Sequence, residues 1–403
     1  MVKGEGQKMN KDIKRFRIFM FIYWAMILSV TGMYTMYIAQ LGFSKKDVSI
    51  AVTIYTLAGL IGQSFIGYLV DKFRQIKKIM FFCISMGLLV GIGMAFCTVS
   101  WQIYIIIFIW GFFVVGTNSL SEAWCINILT KHNEQKNFGR VRGFGSIGYG
   151  FSGAFLGIIL QSVGWKVYSY YILIAVVLTL VIIYFMADSE KQITDKENEQ
   201  VSIKEAFGQV FMIKPILVMI AIMFTYNFVM RGIYSYLGVL VSDFGGGARS
   251  LGLTYFFDAS PEIITFFLAA KLLRKFHSKS LIFIAFLLQI VRLTVILIFN
   301  NAAAVMIMGV FSGFAFGLVA ASYKTYIYEL APAKYKASCL SLSESIIGLS
   351  AIISAPIFGF VFTEFGTNYA IIFGLIIDII AALVMLSDLV KRKRPIQSKD
   401  LSM

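Results

Sequence analysis

The stretch GYLVDKFRQIKKI, residues 67–79, ends one apolar segment in a Lys-Phe step, passes through a basic turn and begins the next apolar segment. A second stretch of the same form, AKLLRKFHSKSLI, occupies residues 270–282. The two stretches lie about 200 residues apart and hold the same place in each half of the chain. This weak internal repeat indicates a membrane protein built from two similar halves.

Apolar segments long enough to cross a bilayer recur along the whole chain. Apolar residue types make up 59% of the 403 residues and charged residues 14%, against roughly 45–50% and 25% in a soluble domain. A crossing takes about 20 residues, and it must be helical because lipid offers the backbone no hydrogen-bond partners. The sequence therefore predicts an all-α membrane protein with twelve transmembrane helices. It excludes a soluble enzyme, a disordered chain and a disulfide-rich secreted module. The predicted spans are 17–40, 47–70, 79–98, 102–129, 143–162, 167–187, 215–241, 251–273, 280–299, 302–328, 337–362 and 367–390.

Basic residues are distributed very unequally between the loops of this arrangement. With the odd-numbered connections outside, the outer loops carry four Lys or Arg, whereas the inner loops and tails carry 28. This strong positive-inside pattern places both termini in the cytoplasm. The net charge of +15 then reflects topology and contact with anionic membrane lipid, and no binding of nucleic acid is expected. We predict a multi-pass protein of the cell membrane.

One long polar connection, from Asp188 to about Lys214, lies at the midpoint of the chain. It predicts an N-terminal six-helix half at 1–187, a cytoplasmic linker at 188–214 and a C-terminal six-helix half at 215–403. The four cysteines are scattered on apolar segments, and no pair has metal-ligand or redox spacing. No metal and no cofactor are therefore expected.

Nine ionisable residues lie inside the predicted spans, where each costs roughly 2.5–3.5 kcal/mol at a helix centre. They must face the interior of the bundle, pair with one another or line a water-filled cavity. A structural ion pair is the simpler interpretation for Asp378, Lys324 and Glu344. A functional role is favoured for four residues near mid-span. These four are Glu122, Arg142, Glu262 and Arg292, and the remaining two of the nine are Arg231 and Asp258.

Two of these residues occur in distinctive local sequences. Glu262 follows Pro261, which can kink the helix where a cavity is lined. Burial and a neighbouring arginine have opposite effects on the protonation of such a carboxylate, so Glu262 could exchange a proton near neutral pH or form a permanent ion pair with Arg292. Arg142 lies in FGRVRGFGSIGYGFSGAFLG, whose glycines predict one nearly bare helix face that exposes Arg142 and Tyr149. The arginine can donate to hydroxyls or a carboxylate, and the ring can stack on a sugar or base; the plainer alternative is a packing helix.

The stretch GYLVDKFRQIKK resembles the signature that joins the second and third helices in the major facilitator superfamily. Gly67, Asp71, Lys72 and Lys77 match it, and Arg74 stands where the family usually has glycine. The resemblance implies a fold of two six-helix halves around a central cavity. It also implies that Gly67, Asp71 and Lys72 belong to a cytoplasmic gate and do not bind substrate.

A finer resemblance, over nearly the whole chain, is to the lactose-permease-like branch of oligosaccharide and related proton symporters. NFGRVRGFGSIGYG is similar to the opening of its fifth helix, and SEAW, SPEII and IVRL fall in register on the fourth, eighth and ninth helices. The resemblance implies that Glu122 and Arg142 contact substrate, that Tyr149 stacks on it and that Glu262 links the substrate and proton sites. Further residues assigned through it are Thr265 at the substrate site, and Arg292 and Arg231 as partners of a proton-binding carboxylate.

Several positions depart from that branch. The permease has tryptophan where Tyr149 stands and asparagine where Thr265 stands. Its tenth helix carries a histidine and a glutamate, whereas the corresponding stretch GVFSGFAFG has no ionisable group. The charged residues of its seventh and eleventh helices correspond to Asn227, Met230 and about Ile347. Lactose is therefore not the expected substrate, and the proton site is not that of the permease.

These observations predict a transporter that imports a small polar solute by alternating access, together with protons. A sugar is the first candidate, and a nucleoside or an aromatic acid follows. The alternatives are multidrug efflux and a non-transporting sensor on the same fold. A membrane-embedded enzyme is not expected, because no nucleophile with a base and no metal cluster is evident. A monomer is the default for this fold.

Overall fold

The computed structural model describes residues 2–134, 137–186, 213–332 and 336–392, and these are almost entirely helical. The fold is that of an all-α membrane protein, as predicted. The helices are α1 (Val2–Thr31), α2 (Tyr34–Gln40), α3 (Lys45–Phe73), α4 (Ile76–Met94), α5 (Ser100–Ile109), α6 (Asn118–Lys131), α7 (Phe138–Val163), α8 (Tyr168–Phe185), α9 (Lys214–Ser235), α10 (Leu237–Asp243), α11 (Ala248–Lys275), α12 (Ser278–Phe299), α13 (Ala302–Leu330), α14 (Lys336–Glu364) and α15 (Thr367–Arg392).

Each of the twelve predicted spans coincides with one helix or with an adjoining pair, namely α1 with α2, α5 with α6 and α9 with α10. Within the described ranges, eleven helical segments are long and apolar enough to cross a membrane. Helix α11 is not among them, and it carries Asp258, Pro261 and Glu262 near its middle. The predicted linker at 188–214 lies outside the described residues except for its last two positions. The two halves therefore stay a prediction; for description, α1–α8 are called the N-half and α9–α15 the C-half.

Helix α3 shows how local sequence sets the helix ends. Ser44 caps its first turn, because the Ser44 hydroxyl accepts from the Asp47 backbone N–H at 3.2 Å while the Asp47 carboxylate accepts from the Ser44 N–H at 3.0 Å. Arg74 ends the helix in the left-handed conformation, with φ of 56°. Glycine is favoured in this conformation at helix ends, which accounts for the glycine of the family signature here. Arg74 adopts the same turn at some cost in backbone strain.

Glycines let α7 pack closely against two neighbours. A Cβ atom on Gly148 would overlap the backbone of Phe21 in α1, and one on Gly157 would lie 2.5 Å from the Ala248 carbonyl oxygen and 3.0 Å from the Gly252 Cα in α11. The expectation of one bare face was therefore incomplete, since the glycines serve two faces. On α13, Gly309, Gly313 and Gly317 lie against α11 in the same way.

One end of the bundle, here called the closed end, is sealed by contacts between the N-half and the C-half. Lys45 donates to the Asp243 carboxylate at 2.6 Å, and Thr367 also donates to Asp243. The Tyr236 hydroxyl donates to the Ala355 carbonyl oxygen at 2.8 Å and lies 3.3 Å from the Ser49 hydroxyl. Helix α7 packs against α11, α3 against α14 and α2 against α10. In the predicted topology this is the outer end.

Candidate substrate cavity

A cavity of about 290 Å³ lies between the N-half and the C-half. Its wall combines aromatic rings, small polar groups and charges from eight helices. The lining residues that carry these groups are Trp24, Thr31, Tyr34, Tyr55, Asn118, Arg142, Ser146, Tyr149, Arg231, Tyr234, Ser235, Asp258, Glu262 and Phe316. The cavity therefore offers hydrogen-bond donors, acceptors and flat apolar faces to one small solute.

Arg142 is held in place by two contacts within the N-half. Its Nε donates to Glu122 Oε1 at 2.9 Å, and its guanidinium carbon lies 4.2 Å from the centre of the Trp24 ring. Trp24 fits there because Gly145, one turn along α7 from Arg142, has no side chain; a Cβ atom at Gly145 would lie 2.5 Å from the Trp24 ring. The Glu122 side chain is 43% exposed, against 18% for Arg142. Arg142 therefore lines the cavity, and Glu122 lies beside it, outside the lining.

Tyr149 lies deeper in the same cavity, at the junction of the two halves. Its hydroxyl is 3.3 Å from the Tyr234 hydroxyl of the C-half. Its ring meets Trp24 and Tyr255 edge to face, with centroid distances of 6.3 Å and 5.8 Å. One ring edge and the hydroxyl are therefore engaged, while the residue still lines the cavity. This geometry can support the predicted stacking on a flat solute.

Glu262 reaches from the C-half to the N-half. The Ser146 hydroxyl of α7 donates to Glu262 Oε1 at 3.2 Å. Arg142 is the cation that acts most strongly on Glu262 through the cavity. The structure does not bring Glu262 and Arg292 into the ion pair considered in the sequence analysis. A carboxylate shared between the halves is well placed to respond to a proton, since protonation turns one of its acceptor oxygens into a donor.

Arg231 also faces the cavity, from α9, but without an acidic partner. Its side chain is exposed to the cavity, and among the described residues it forms no hydrogen bond or ion pair. Tyr55 and Tyr149 lie within its electrostatic reach. The expected pairing of Arg231 with Glu262 is therefore not formed in this conformation.

Arg292 lies outside the cavity, in a buried polar group of the C-half. Its Nη1 donates to the Ser312 hydroxyl at 3.0 Å, and its side chain is almost fully buried. Asp258 and Asp378 are both close enough to act on it electrostatically. Of these three, Asp258 alone lines the cavity.

Four further predicted residues lie away from the cavity lining. Thr265 is buried, donates to the Pro261 carbonyl oxygen at 2.8 Å and packs against Gly317. A helical threonine commonly bonds back to the carbonyl one turn earlier, and here this directs the side chain toward α13. The gate residues lie at the end of α3 opposite the closed end, where the Lys72 ammonium lies 5.9 Å from the Tyr68 ring centre. Those gate residues are Gly67, Asp71 and Lys72.

Several lining residues were not singled out from the sequence. Trp24, Asn118 and Tyr234 belong to no recognisable motif, and the chain has 20 Tyr and 38 Phe among which pattern alone does not choose. Asp258 gave a signal, as a carboxylate one helical turn before Glu262, but it was left without a role. Within the described ranges, no group of three or more His, Cys, Asp or Glu residues is arranged to hold a metal ion.

Comparisons with known proteins identify the family. The sequence model described as "MFS_1 like family" matches residues 13–373. The nucleoside transporter NupG has a TM-score of 0.78 at 13% identity, over 94% of this chain and 98% of that one, and a mutant of NupG has 0.76 at 14%, over 93% and 99%. A bacterial homolog of the human lysosomal transporter Spinster, in an inward-facing and unoccupied conformation, has 0.65 at 12%, over 94% and 96%. No functionally curated protein matches. The solved structures establish the fold, and the family match establishes that the chain belongs to the MFS_1-like family of the major facilitator superfamily, multi-pass membrane transporters of small solutes and not enzymes.

Proposed function

We propose that this protein imports a small polar solute by alternating access, coupled to protons. A sugar-like solute is the first candidate, and a nucleoside or an aromatic acid follows. The observation that carries the proposal is the cavity between the halves, in which Arg142 is held by Glu122 and Trp24 and faces Glu262. We further propose that it acts as a monomer in the cell membrane.

The size and lining of the cavity favour a small polar solute. Its volume of about 290 Å³ is at the lower end of the roughly 300–1,000 Å³ of ligand sites. Trp24, Tyr149 and other rings offer faces to a sugar or base, and Arg142 offers paired donors to hydroxyls or a carboxylate. The likeness to a nucleoside transporter in fold keeps the nucleoside candidate in view. Multidrug efflux is less favoured, because it calls for a wide cavity, and Arg142 and Arg231 would repel cationic drugs.

The distribution of contacts supports alternating access. Ion-pair and hydroxyl contacts join the halves at the closed end, whereas Glu122, bound to the cavity residue Arg142, is 43% exposed. With the positive-inside orientation, this arrangement is inward-facing. A solute bound between the halves can draw the open sides together only if it contacts both of them, and Arg142 and Glu262 supply one contact from each.

Proton movement in cells that express the protein tests the proposal. Sugars, nucleosides and aromatic acids are added one at a time to an anaerobic, weakly buffered suspension, and the external pH is recorded. Alkalinisation with one class would support symport and identify the substrate class. Glu262→Gln should then abolish accumulation against a gradient while the protein stays in the membrane. If Glu262→Gln still concentrates the solute, Glu262 is not the coupling group; if no solute moves protons in the parent, import by symport is wrong.

A further inference from the structure

A cluster of buried polar groups lies beside the cavity, within the C-half. It is here called the C-half cluster. Four of its atoms are buried and have no hydrogen-bond partner among the residues that the structure describes, although such atoms are rare in folded proteins. They are Asp258 Oδ1, Arg292 Nε, Asp378 Oδ1 and the Tyr226 hydroxyl. The other members are Gln289, Tyr234 and Ser312.

The members come from five helices, and each acidic group has a defined set of neighbours. Asp378 of α15 accepts from Gln289 Nε2 of α12 at 2.8 Å and lies near Tyr226 of α9. Asp258 of α11 lies beside the hydroxyls of Tyr234 and Ser312, and Ser312 accepts from Arg292. Outside the cluster, Glu262 lies one turn along α11 from Asp258 and within its electrostatic reach. The two aspartates thus share Arg292 and the Tyr226 hydroxyl as neighbours.

The C-half cluster is electrically neutral only if one of its aspartates carries a proton. Two ionised aspartates and one arginine leave a net charge of −1, at a place where Asp378 is 0% and Arg292 2% exposed. A buried charge without a partner is strongly unfavourable. One added proton makes the cluster neutral and turns a carboxylate oxygen into a donor, which can satisfy one of the unpartnered acceptors.

We propose that Asp258 and Asp378 share the coupling proton of this transporter, with Arg292 as the fixed positive charge that acts on both. The inference rests on the proton coupling of the proposed function: the proton is held in the C-half cluster, and Glu262, one helical turn from Asp258, remains the group that links solute binding to it. Asp258 lines the cavity, so its carboxylate takes the proton from cavity water and releases it there. Asp378 holds the proton when the cavity is shut. The bound ion is a proton and not a metal cation, because Arg292 lies within electrostatic reach of both aspartates and its charge would repel one.

Asp378→Asn is the leading test, since Asp378 lies outside the cavity lining. With asparagine, the cluster is neutral without a proton and mimics the loaded state permanently. We expect solute exchange between the two sides of the membrane to stay within about twofold of the parent, while solute-driven alkalinisation falls at least tenfold. Asp258→Asn should also lose alkalinisation. The matched control is Glu344→Gln, which removes a membrane carboxylate from an exposed pair with Lys324 and should keep the proton-to-solute ratio of the parent.

A second measurement keeps the inference testable if a variant fails to fold. Infrared spectra of the purified parent should show the band of a protonated carboxyl group at neutral pH. The band should persist in Glu262→Gln, and in Asp378→Glu it should weaken or shift in frequency. Absence of that band in Glu262→Gln would overturn the assignment. So would an unchanged proton-to-solute ratio in both asparagine variants, which leaves symport itself intact. If solute uptake by the parent depends on the sodium gradient and not on pH, proton coupling is wrong, and both proposals fail.

Discussion

At the residue scale, the contacts of Tyr149 show which part of a cavity side chain is free to meet a solute. Tyr149 contacts the C-half through its hydroxyl, 3.3 Å from that of Tyr234, and through an edge-to-face ring contact with Tyr255. Its ring also meets Trp24 of the N-half edge to face. The hydroxyl contact is long and weak, whereas the ring occupies a fixed place between three other aromatic side chains. The ring is therefore the part of Tyr149 that a solute would meet as a surface.

Tyr149→Phe and Tyr149→Ala separate the hydroxyl from the ring. We expect Tyr149→Phe to change the solute Kd by no more than about threefold, because a hydrogen bond as long as this one is worth about 0.5 kcal/mol, the lower end of the usual net range. Tyr149→Ala should raise the Kd at least tenfold, since an aromatic contact adds about 0.5–1.5 kcal/mol beyond the area it buries. Calorimetry on the purified protein measures both. Equal Kd values for the two variants would show that no stacking occurs.

Single residues also mark where sequence reasoning reached the cavity and where it stopped. Arg142, Glu122 and Glu262 were expected at the site because a charge in a membrane span has to face the interior. Arg142 and Glu262 line the cavity, whereas Glu122 is outside the lining and is bound to Arg142. Trp24 was missed because an aromatic side chain is equally compatible with a position facing lipid, in the core or in the cavity wall. Thr265 was expected at the cavity through the family resemblance, but its hydroxyl bonds to its own helix and the side chain faces α13 instead.

At the scale of elements, the seal between α7 and α11 is made by backbones that approach closely. A Cβ atom on Gly252 would overlap the Gly153 carbonyl oxygen and lie 2.9 Å from the Gly157 Cα. Both partners are backbone, so a side chain at this position cannot be accommodated by a rotamer change. A methyl group at this position should therefore destabilise the contact between the halves at the closed end without disturbing the packing within either half.

Gly252→Ala should therefore shift the population toward a conformation in which the closed end is open. In a background without the native cysteines, Thr35→Cys reports on this end, because Thr35 is buried against Gly238. We expect an impermeant thiol reagent to label it at least fivefold faster when Gly252→Ala is present. Gly143→Ala is the matched control on α7, since nothing lies within 4 Å of its Cβ position. Equal labelling rates in all three proteins would contradict the role of this contact.

The sequence predicted the helix boundaries that are set by the length of an apolar segment. It did not predict the places where the winding of a helix changes within a span. The fourth span contains a π-helical turn at Trp110–Val114 and a 3₁₀ turn at Val115–Thr117. Gly62 of α3 faces the Phe112 backbone at this place. Such local winding results from contact between two helices, and periodicity within one helix carries no sign of it.

The whole molecule is held in its present state by a small latch as well as by helix packing. Asp243 accepts from Lys45 at 2.6 Å and from Thr367, joining α10 to α3 and α15. The Lys45 side chain is 45% exposed, and an exposed pair contributes about 0–1 kcal/mol. The latch should therefore bias the conformational equilibrium without controlling it.

Asp243→Asn should raise the labelling rate of Thr35→Cys by no more than about fivefold, which corresponds to the loss of about 1 kcal/mol. The parent in 1 M salt should approach the variant at ordinary salt, because ions screen exposed charges over about 3 Å at that strength. Both effects are measured by labelling the cysteine at two salt concentrations and quenching the reaction at a series of times. A rate that is independent of salt in the parent would mean that α7–α11 packing alone closes this end.

The position of Trp24 gives the molecule an optical signal of its own. It is one of five tryptophans, its ring lies under the Arg142 guanidinium at 4.2 Å, and its indole nitrogen is buried without a partner. A solute that draws Arg142 toward its own hydroxyls or carboxylate removes a positive charge from the ring face, so the fluorescence emission should change in wavelength and intensity on binding. Trp24→Phe should abolish that change while the other four tryptophans still emit. Occupancy of this cavity can then be followed with light, with no label and before the transported solute has been made radioactive.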